Sequence, residues 1–317
     1  MQKLLISRAL PDSVMQAAAR HFEVTLSPTD APLTLDQARA ALADYDAVIP
    51  TLGDAFRAEV FAGGPHRCRV LANFGMGYNH IDADAARAAG VIVTNTPGAV
   101  TDATADIALT LMLMAARRAS EGERIVRAGN WHGWAPTQML GLHVTGKTVG
   151  IVGMGRIGKA VAARCHHGFG MKVVFHNRST VADPGVPATQ LPALHDVMAA
   201  ADVVIVCVPG GAVTHHLIDA AALAAMQPHA VFVNISRGDV VDEAALIAVL
   251  EARAIAAAGL DVYEFEPLVP EALIALENAV LLPHLGTAAL EVREDMGRMA
   301  LANAVAVSEG RDPPNPV

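Results

Sequence analysis

The feature that most constrains the fold of this chain is a glycine-rich turn between an apolar strand and a helix. Residues 148–152 form a short apolar run, residues 153–158 read GMGRIG, and residues 159–169 have helical character. A second apolar run occupies residues 172–176. A strand, a glycine turn, a helix and a second strand in this order predict a dinucleotide-binding unit.

Each position of the turn has a physical task. We expect Gly153 to permit the tight turn, Gly155 to let the backbone approach a pyrophosphate, and Gly158 to allow close packing of the helix on the strand. The first helical residues, Arg156 and Ile157, should present free N–H groups and a partial positive charge to the phosphates.

The end of the second strand indicates which dinucleotide is bound. Sites that prefer NAD place Asp or Glu there for the ribose 2′-hydroxyl, whereas this chain has Asn177, Arg178 and Ser179 after His176. An arginine suits a 2′-phosphate, because guanidinium and phosphate form strong and directional hydrogen bonds. The sequence therefore favours NADP(H), with NAD(H) as a second cofactor. The alternative is that Arg178 is only an exposed arginine in a turn.

Length, charge and cysteine content limit the class of protein. A chain of 317 residues can form two domains, and a net charge of −9 without a Lys/Arg cluster argues against nucleic-acid or anionic-membrane partners. Cys68, Cys165 and Cys207 have neither paired nor metal-ligand spacing, so we expect free thiols, no metal and a reducing, cytoplasmic location. The N-terminal apolar stretch is too short for a signal peptide, and residues 107–116 are too short to span a bilayer.

The apolar pattern predicts an α/β protein with two domains, each a doubly wound, mostly parallel sheet flanked by helices. Short apolar strands alternate with helices up to about Gly90, and continuous apolar strands return beyond the glycine turn. We expect one long helix over residues 101–118 to lead into the second domain. A final helix near residues 288–310 should be followed by a frayed tail at residues 313–316.

A loop with two glycines follows the fourth predicted strand. Residues 74–82 read FGMGYNHID, and ligands of parallel sheets bind beyond the carboxyl ends of the strands. Gly75 and Gly77 would allow backbone N–H groups to converge on an anion such as a carboxylate. The alternative is an ordinary connecting loop.

Three titratable groups lie just past the ends of consecutive strands in the second half: Arg237, Glu266 and His284. Such strand ends share one edge of a parallel sheet, so we expect the three to converge. Reduction of a 2-keto acid needs a cation for the carboxylate and carbonyl, a proton donor, and a group that orients the donor; Arg237, His284 and Glu266 fit these roles in that order. Taken singly, His284 could be a core histidine, and Arg237 with Glu266 a plain salt bridge. Arg8 has no such neighbours and is interpreted as a surface charge.

Six motifs are distributed along the chain: residues 73–82, 94–98 with 103–113, 153–158, 234–238, 259–263 and 283–287. In these motifs the sequence resembles the D-isomer-specific 2-hydroxyacid dehydrogenases over nearly its whole length, most closely their NADPH-dependent glyoxylate and hydroxypyruvate reductases. Glu266 disfavours the formate dehydrogenase branch, whose catalytic histidine is partnered by a glutamine.

The resemblance implies a Rossmann-type cofactor domain over residues 99–287 and a flavodoxin-like substrate domain from residues 1–98 and 288–317. It also implies a hinge enzyme that dimerises through its cofactor domains, with residues 131–140 reaching toward the partner. The expected product is a D-2-hydroxy acid made from glyoxylate or hydroxypyruvate. A reductase of a bulkier 2-keto acid and a nucleotide-sensing interaction module on the same fold remain alternatives.

The resemblance also assigns roles to individual residues. It implies that Arg237, Glu266 and His284 are catalytic and that the backbone amides of Met76 and Gly77 grip the substrate carboxylate. Asp261 is expected to bond the nicotinamide amide. The remaining expected cofactor contacts are Val208, Pro209, Ile235 and Gly286.

Overall fold

The computed structural model describes all residues, 1–317. The chain divides into two compact units: unit 1 comprises residues 1–100 and 287–317, and unit 2 comprises residues 101–286. Each unit is built on one parallel sheet with helices. The α/β class expected from the alternating pattern is thus confirmed.

Unit 1 contains a five-stranded sheet in the order β2-β1-β3-β4-β5, which is the flavodoxin-like order. All its strand pairs are parallel. The strands are β1 (Gln2–Ile6), β2 (Phe22–Leu26), β3 (Ala47–Ile49), β4 (Val70–Ala72) and β5 (Ile92–Thr94). The helices are α1 (Asp12–His21), α2 (Leu35–Asp44), α3 (Ala58–Phe61), α4 (Ala83–Ala88) and, last in the chain, α12 (Leu290–Ser308).

Alternate residues of the central strands face opposite sides of this sheet. Leu4 and Ile6 pack with residues of α1 and α12, whereas Leu5 and Val48 pack with residues of α2, α3 and α4. Because both faces are covered, polar loops leave the sheet at the ends of its strands.

Unit 2 contains a seven-stranded parallel sheet in the order β12-β11-β10-β9-β6-β7-β8. Its strands are β6 (Thr148–Val152), β7 (Lys172–His176), β8 (Ala188–Gln190), β9 (Val203–Val206), β10 (Val231–Asn234), β11 (Ala257–Leu260) and β12 (Ala279–Leu281). Its helices are α5 (Thr101–Ala116), α6 (Ala119–Arg127), α7 (Arg156–Phe169), α8 (Leu194–Ala200), α9 (Ala220–Ala224), α10 (Glu243–Glu251) and α11 (Glu271–Ile274). The chain order reverses between β6 and β9, and doubly wound sheets bind ligands at that switch point.

The expectation of one helix over residues 101–118 is wrong at its end. Helix α5 stops at Ala116, and Arg118 adopts a left-handed backbone conformation (φ 54°) before α6 begins. The N–H of Leu142 donates to the carbonyl of Ala116 at 2.8 Å, so a later segment of the chain satisfies the end of α5. None of the helices is both long and apolar enough to cross a membrane.

The expectation of a frayed tail is also wrong. Pro316 forms an antiparallel bridge with Thr94, and the N–H of Val317 donates to the carbonyl of Val93 at 3.1 Å. Strand β5 lies at the edge of its sheet and has unpaired backbone groups, which the final residues satisfy.

Arg8 is not the surface charge that we expected. Its guanidinium lies 3.1 Å from the carboxylate of Asp54, which is completely buried. Asp54 also accepts hydrogen bonds from the backbone N–H groups of Leu33 (3.0 Å) and Thr51 (2.8 Å). The arginine therefore compensates a buried charge and fixes the loop that follows β3.

Candidate active site

The glycine turn of unit 2 connects β6 to α7, as the sequence indicates. Gly153 has φ +98°, which side chains other than glycine rarely adopt, and its N–H donates to the carbonyl of His176 at 2.9 Å. A Cβ on Gly158 would lie only 2.2 Å from the carbonyl oxygen of Gly153, so the helix can approach the turn only with glycine there. A Cβ on Gly155 would meet open space.

The beginning of α7 has the unsatisfied donors that an anion needs. The first helical bond runs from the N–H of Lys159 to the carbonyl of Gly155, so the N–H groups of Arg156, Ile157 and Gly158 have no acceptor in the chain. No side chain caps this end of the helix. Free N–H groups next to open space fit the pyrophosphate of a dinucleotide.

A second contact ties the turn to the loop after β7. The side chain of Asn177 accepts from the N–H of Met154 at 3.3 Å and donates to the carbonyl of Ser179 at 3.0 Å. Arg178 lies between them, exposed and without an ion pair. Val208, which precedes Pro209 in the loop after β9, packs on the other side of the turn, 2.8 Å from where a Cβ of Gly153 would be. Ile235 is buried.

The polar groups expected to converge follow three neighbouring strands. Strands β10, β11 and β12 pair in parallel, and Arg237, Glu266 and His284 each come shortly after one of them. The expected common edge is therefore present, and it brings Glu266 and His284 into direct contact.

Arg237 is a cation without an acidic partner. No carboxylate lies within the 4.0 Å of an ion pair, Nη1 donates to the carbonyl of Ser236 at 2.6 Å, and Nε is buried without a hydrogen-bond partner. Burial lowers the pKa of Arg237, and the charges of Glu266 and Asp239 oppose that shift. Arginine remains protonated in proteins, so the site offers an unpaired positive charge to an anion.

Asn234, which is not among the site residues predicted from the sequence, holds the loop that carries Arg237. Its side-chain oxygen accepts from the N–H of Ser236 at 3.0 Å, and its side-chain nitrogen donates to the carbonyl of Arg237 at 2.9 Å. This local pattern of an Asn at a strand end followed by a Ser was available in the sequence.

Gly238 and His216 set the distance between the Arg237 and Glu266 loops. A Cβ on Gly238 would overlap the peptide between Tyr263 and Glu264, at 1.8–2.2 Å. The ring of His216 lies 2.9 Å from the carboxylate of Glu264, and its backbone N–H donates to the carbonyl of Asp239 at 2.8 Å. The two loops thus pack backbone against backbone, and the sequence pattern did not indicate either contact.

Glu266 orients His284. Oε2 of Glu266 lies 2.8 Å from Nδ1 of His284, and Oε1 accepts from the N–H of Tyr263 at 3.0 Å. Burial alone would raise the pKa of Glu266, but the hydrogen bond and charge of His284, the N–H of Tyr263 and the charge of Arg237 together lower it. The carboxylate is therefore ionised at neutral pH and faces the imidazole.

Asp261 fixes the backbone of the histidine loop. Its carboxylate accepts from the N–H groups of Leu285 (2.6 Å) and Gly286 (2.7 Å), and its carbonyl accepts from the N–H of His284 (3.0 Å). His284 has φ +54°, a left-handed conformation that costs a non-glycine residue about 1–2 kcal/mol. Burial raises the pKa of Asp261 despite the opposing bonds from Leu285 and Gly286 and the charge of His284.

Unit 1 contains the other predicted polar loop. The N–H groups of Met76 and Gly77 have no acceptor in the chain, and both residues are partly exposed. The carbonyl of Gly75 accepts from the N–H of Thr96 at 3.1 Å. Two adjacent free N–H groups beyond the carboxyl end of β4 can bind an anion.

Comparisons with known proteins agree with this fold. The family model described as "D-isomer specific 2-hydroxyacid dehydrogenase, NAD binding domain" matches residues 109–286. A glyoxylate reductase of Thermococcus kodakarensis is 40% identical, with 98% of this chain and 95% of that protein covered.

Solved structures are also similar. The TT0316 protein of Thermus thermophilus superposes with a TM-score of 0.92 at 40% identity, covering 99% of both chains. An NADPH-dependent glyoxylate/hydroxypyruvate reductase of Sinorhizobium meliloti, solved with NADP and malonate, has a TM-score of 0.87 at 34% identity, covering 100% of this chain and 96% of that one. This chain belongs to the D-isomer specific 2-hydroxyacid dehydrogenase family, an oxidoreductase family with a nicotinamide dinucleotide cofactor. The resemblance seen in the motifs is confirmed.

Two glycines of α7 provide a matched test of the dinucleotide site. We expect Gly158→Ala to weaken binding of NADPH and NADH at least tenfold, because the added Cβ would push the helix away from the turn at Gly153. Gly168→Ala is the control, since a Cβ there meets open space on the same helix. Titration calorimetry measures both, and equal affinities in the two variants would contradict this account of the turn.

Proposed function

We propose that this protein reduces glyoxylate or hydroxypyruvate to the corresponding 2-hydroxy acid, which has the D configuration where the product is chiral, with NADPH as hydride source and His284 as proton donor. The observation that carries the proposal is the 2.8 Å contact between His284 and Glu266 at the sheet edge that also presents Arg237 without an ion pair. A cation, an acid and an orienting carboxylate are what reduction of a 2-keto acid requires.

Each residue has one task in this proposal. The planar guanidinium of Arg237 holds the carboxylate and polarises the carbonyl through its unused N–H groups. Nδ1 of His284 is engaged by Glu266, which leaves Nε2 to carry the proton that is transferred to the carbonyl oxygen. Met76 and Gly77 contribute backbone N–H groups to the carboxylate. A bound reduced dinucleotide would supply the hydride; its pyrophosphate would be held by the N-terminus of α7 and, as we propose, its nicotinamide amide by Asp261.

The names of relatives support a small substrate. The Thermococcus kodakarensis relative is a glyoxylate reductase, and the Sinorhizobium meliloti relative is a glyoxylate/hydroxypyruvate reductase. Glyoxylate and hydroxypyruvate share the 2-keto acid group that Arg237 and His284 would recognise.

A spectrophotometric assay tests the proposed function. NADPH oxidation is followed with glyoxylate, hydroxypyruvate and bulkier 2-keto acids, in the wild type and in His284→Ala. We expect turnover of the small acids, a loss of about 10²–10⁴-fold in the variant, and unchanged NADPH affinity. Dinucleotide binding without turnover of any 2-keto acid would instead support a nucleotide-sensing module.

The negative charge of Glu266 makes a prediction about activity. Against the effect of burial, His284, the N–H of Tyr263 and Arg237 hold the pKa of Glu266 below its ordinary value, so an ionised carboxylate faces the imidazole at neutral pH. Glu266→Gln keeps the volume but removes this charge and the acceptor that orients Nδ1 of His284. We expect kcat/KM for glyoxylate to fall at least tenfold in this variant, with unchanged NADPH affinity. Wild-type kinetics in Glu266→Gln would mean that Glu266 does not orient the proton donor.

We propose NADP(H) as the preferred cofactor because Arg178 is exposed, has no ion pair and directly follows Asn177, whose side chain contacts the glycine turn at Met154. Arg178→Asp should shift the ratio of NADPH to NADH efficiency at least tenfold toward NADH, since a charged hydrogen bond contributes about 1.5–3 kcal/mol. Lys172→Asp, the same charge change at the other end of β7, is the control and should leave the ratio unchanged. An unchanged ratio in both variants would remove Arg178 from the cofactor site.

We also propose a cytoplasmic homodimer formed through unit 2. Trp131, Trp134 and Leu140 lie in an irregular segment and expose 56%, 80% and 67% of their surface, which is typical of interface anchors. The three free cysteines suit a reducing compartment. Sedimentation velocity should show a dimer that Trp134→Asp weakens; a monomeric wild type would refute this assembly.

A further inference from the structure

The loop of Met76 and Gly77 owes its orientation to two asparagine side chains. Nδ2 of Asn73 donates to the carbonyls of Gly75 (2.9 Å) and Gly77 (3.0 Å), and Nδ2 of Asn95 donates to the carbonyl of Met76 (2.9 Å). Each of these three consecutive carbonyls is thus fixed by an asparagine side chain. Because a peptide is planar and trans, its N–H points away from its carbonyl, which leaves the N–H groups free for an anion.

Asn95 is held in turn by residues distant in sequence. Its carbonyl accepts from Nδ2 of Asn303 at 3.3 Å, and its N–H donates to the carbonyl of Asn315 at 3.2 Å. Oδ1 of Asn303 accepts from the backbone N–H of Asn315 at 3.0 Å and lies 3.4 Å from its side-chain nitrogen. Asn95, Asn303 and Asn315 therefore form a closed set of hydrogen bonds, which we call the asparagine triangle.

The burial of Asn303 shows that the asparagine triangle carries a cost in free energy. Asn303 is completely buried on α12, between the buried Ala300 and Ala304. An amide at such a site is tolerated only because it is bonded at both ends, and an apolar side chain would satisfy the helix packing at less cost. We therefore interpret the buried amide of Asn303 as a group that positions Asn95 and Asn315, the two residues that it bonds.

We propose that Asn303 and the segment of residues 313–317 are positioning elements of the substrate site. They hold Asn95, Asn95 holds the carbonyl of Met76, and the N–H groups of Met76 and Gly77 consequently face the substrate carboxylate. The inference rests on the proposed function for the identity of the anion, whereas the bracing of the loop is independent of it. It also explains why the final residues are ordered against β5.

The test uses Asn303→Leu, which keeps much of the volume but removes both bonding groups, and Asn315→Pro, which removes the N–H that Asn303 accepts. Asn79→Ala is the matched control, because Asn79 is exposed in the same loop and its side chain makes no hydrogen bond. Three quantities are measured: kcat and KM for glyoxylate, the Kd for oxalate, and hydrogen exchange of residues 74–79.

We expect both triangle variants to raise the glyoxylate KM and the oxalate Kd about three- to tenfold, with kcat and NADPH affinity within twofold of wild type. Exchange of residues 74–79 should become faster in both. The control should match wild type in all three measurements.

Folded triangle variants whose oxalate Kd and exchange match Asn79→Ala would overturn the inference. If Asn303→Leu fails to fold, Asn315→Pro decides alone. A wild type that turns over no 2-keto acid would remove the proposed function, but the exchange data and oxalate binding would still decide whether the triangle braces an anion-binding loop.

Discussion

The hydrogen bonds of Asp261 are the contacts on which the candidate active site of unit 2 depends. One residue accepts the N–H groups of His284, Leu285 and Gly286, and so fixes a histidine in a left-handed conformation. Strain of this kind persists only where the surroundings over-determine the backbone. Glu266 can orient the imidazole only because the histidine already starts from a fixed backbone position. The position of Asp261 directly after β11, beside β12, makes this possible.

The charged groups at the ends of β10, β11 and β12 are not paired as they would be in a structural salt bridge. Arg237 is buried deeply enough that desolvation lowers its pKa, yet the nearby Glu266 is bonded to His284 and Tyr263 instead. A partly buried cation without a direct counter-ion is unfavourable in the free protein. The protein carries a net charge of −9, which repels anions, and the positive charge of Arg237 offsets that repulsion at this edge. Both features are understandable if an anionic ligand completes the site.

The sequence predicts features that depend on neighbours along the chain. The glycine turn, the class of the fold, the parallel strands and the common edge of Arg237, Glu266 and His284 all follow from local patterns and the rules of parallel sheets. Contacts that depend on distant residues carry no such pattern. The pairing of Arg8 with Asp54 joins two loops, and the ordering of residues 313–317 depends on the open edge of β5. The end of α5 at Ala116 likewise depends on Leu142.

In both units an asparagine at the end of a strand holds the loop that follows it. Asn73 follows β4 and Asn234 ends β10, and each donates its side-chain amide to carbonyls of the loop just ahead, at Gly75 and Gly77 in one unit and at Arg237 in the other. The side-chain amide donates the hydrogen bonds that these carbonyls would otherwise accept from a neighbouring strand. The strand can therefore end there and the chain can turn into a loop. In both loops the carbonyls are thereby occupied. What remains for a ligand is the opposite kind of group: free N–H groups at Met76 and Gly77, and free guanidinium N–H groups at Arg237. A loop whose carbonyls are hydrogen-bonded and whose N–H groups are free binds anions selectively. All 2-keto acids carry a carboxylate and are therefore anions of this kind.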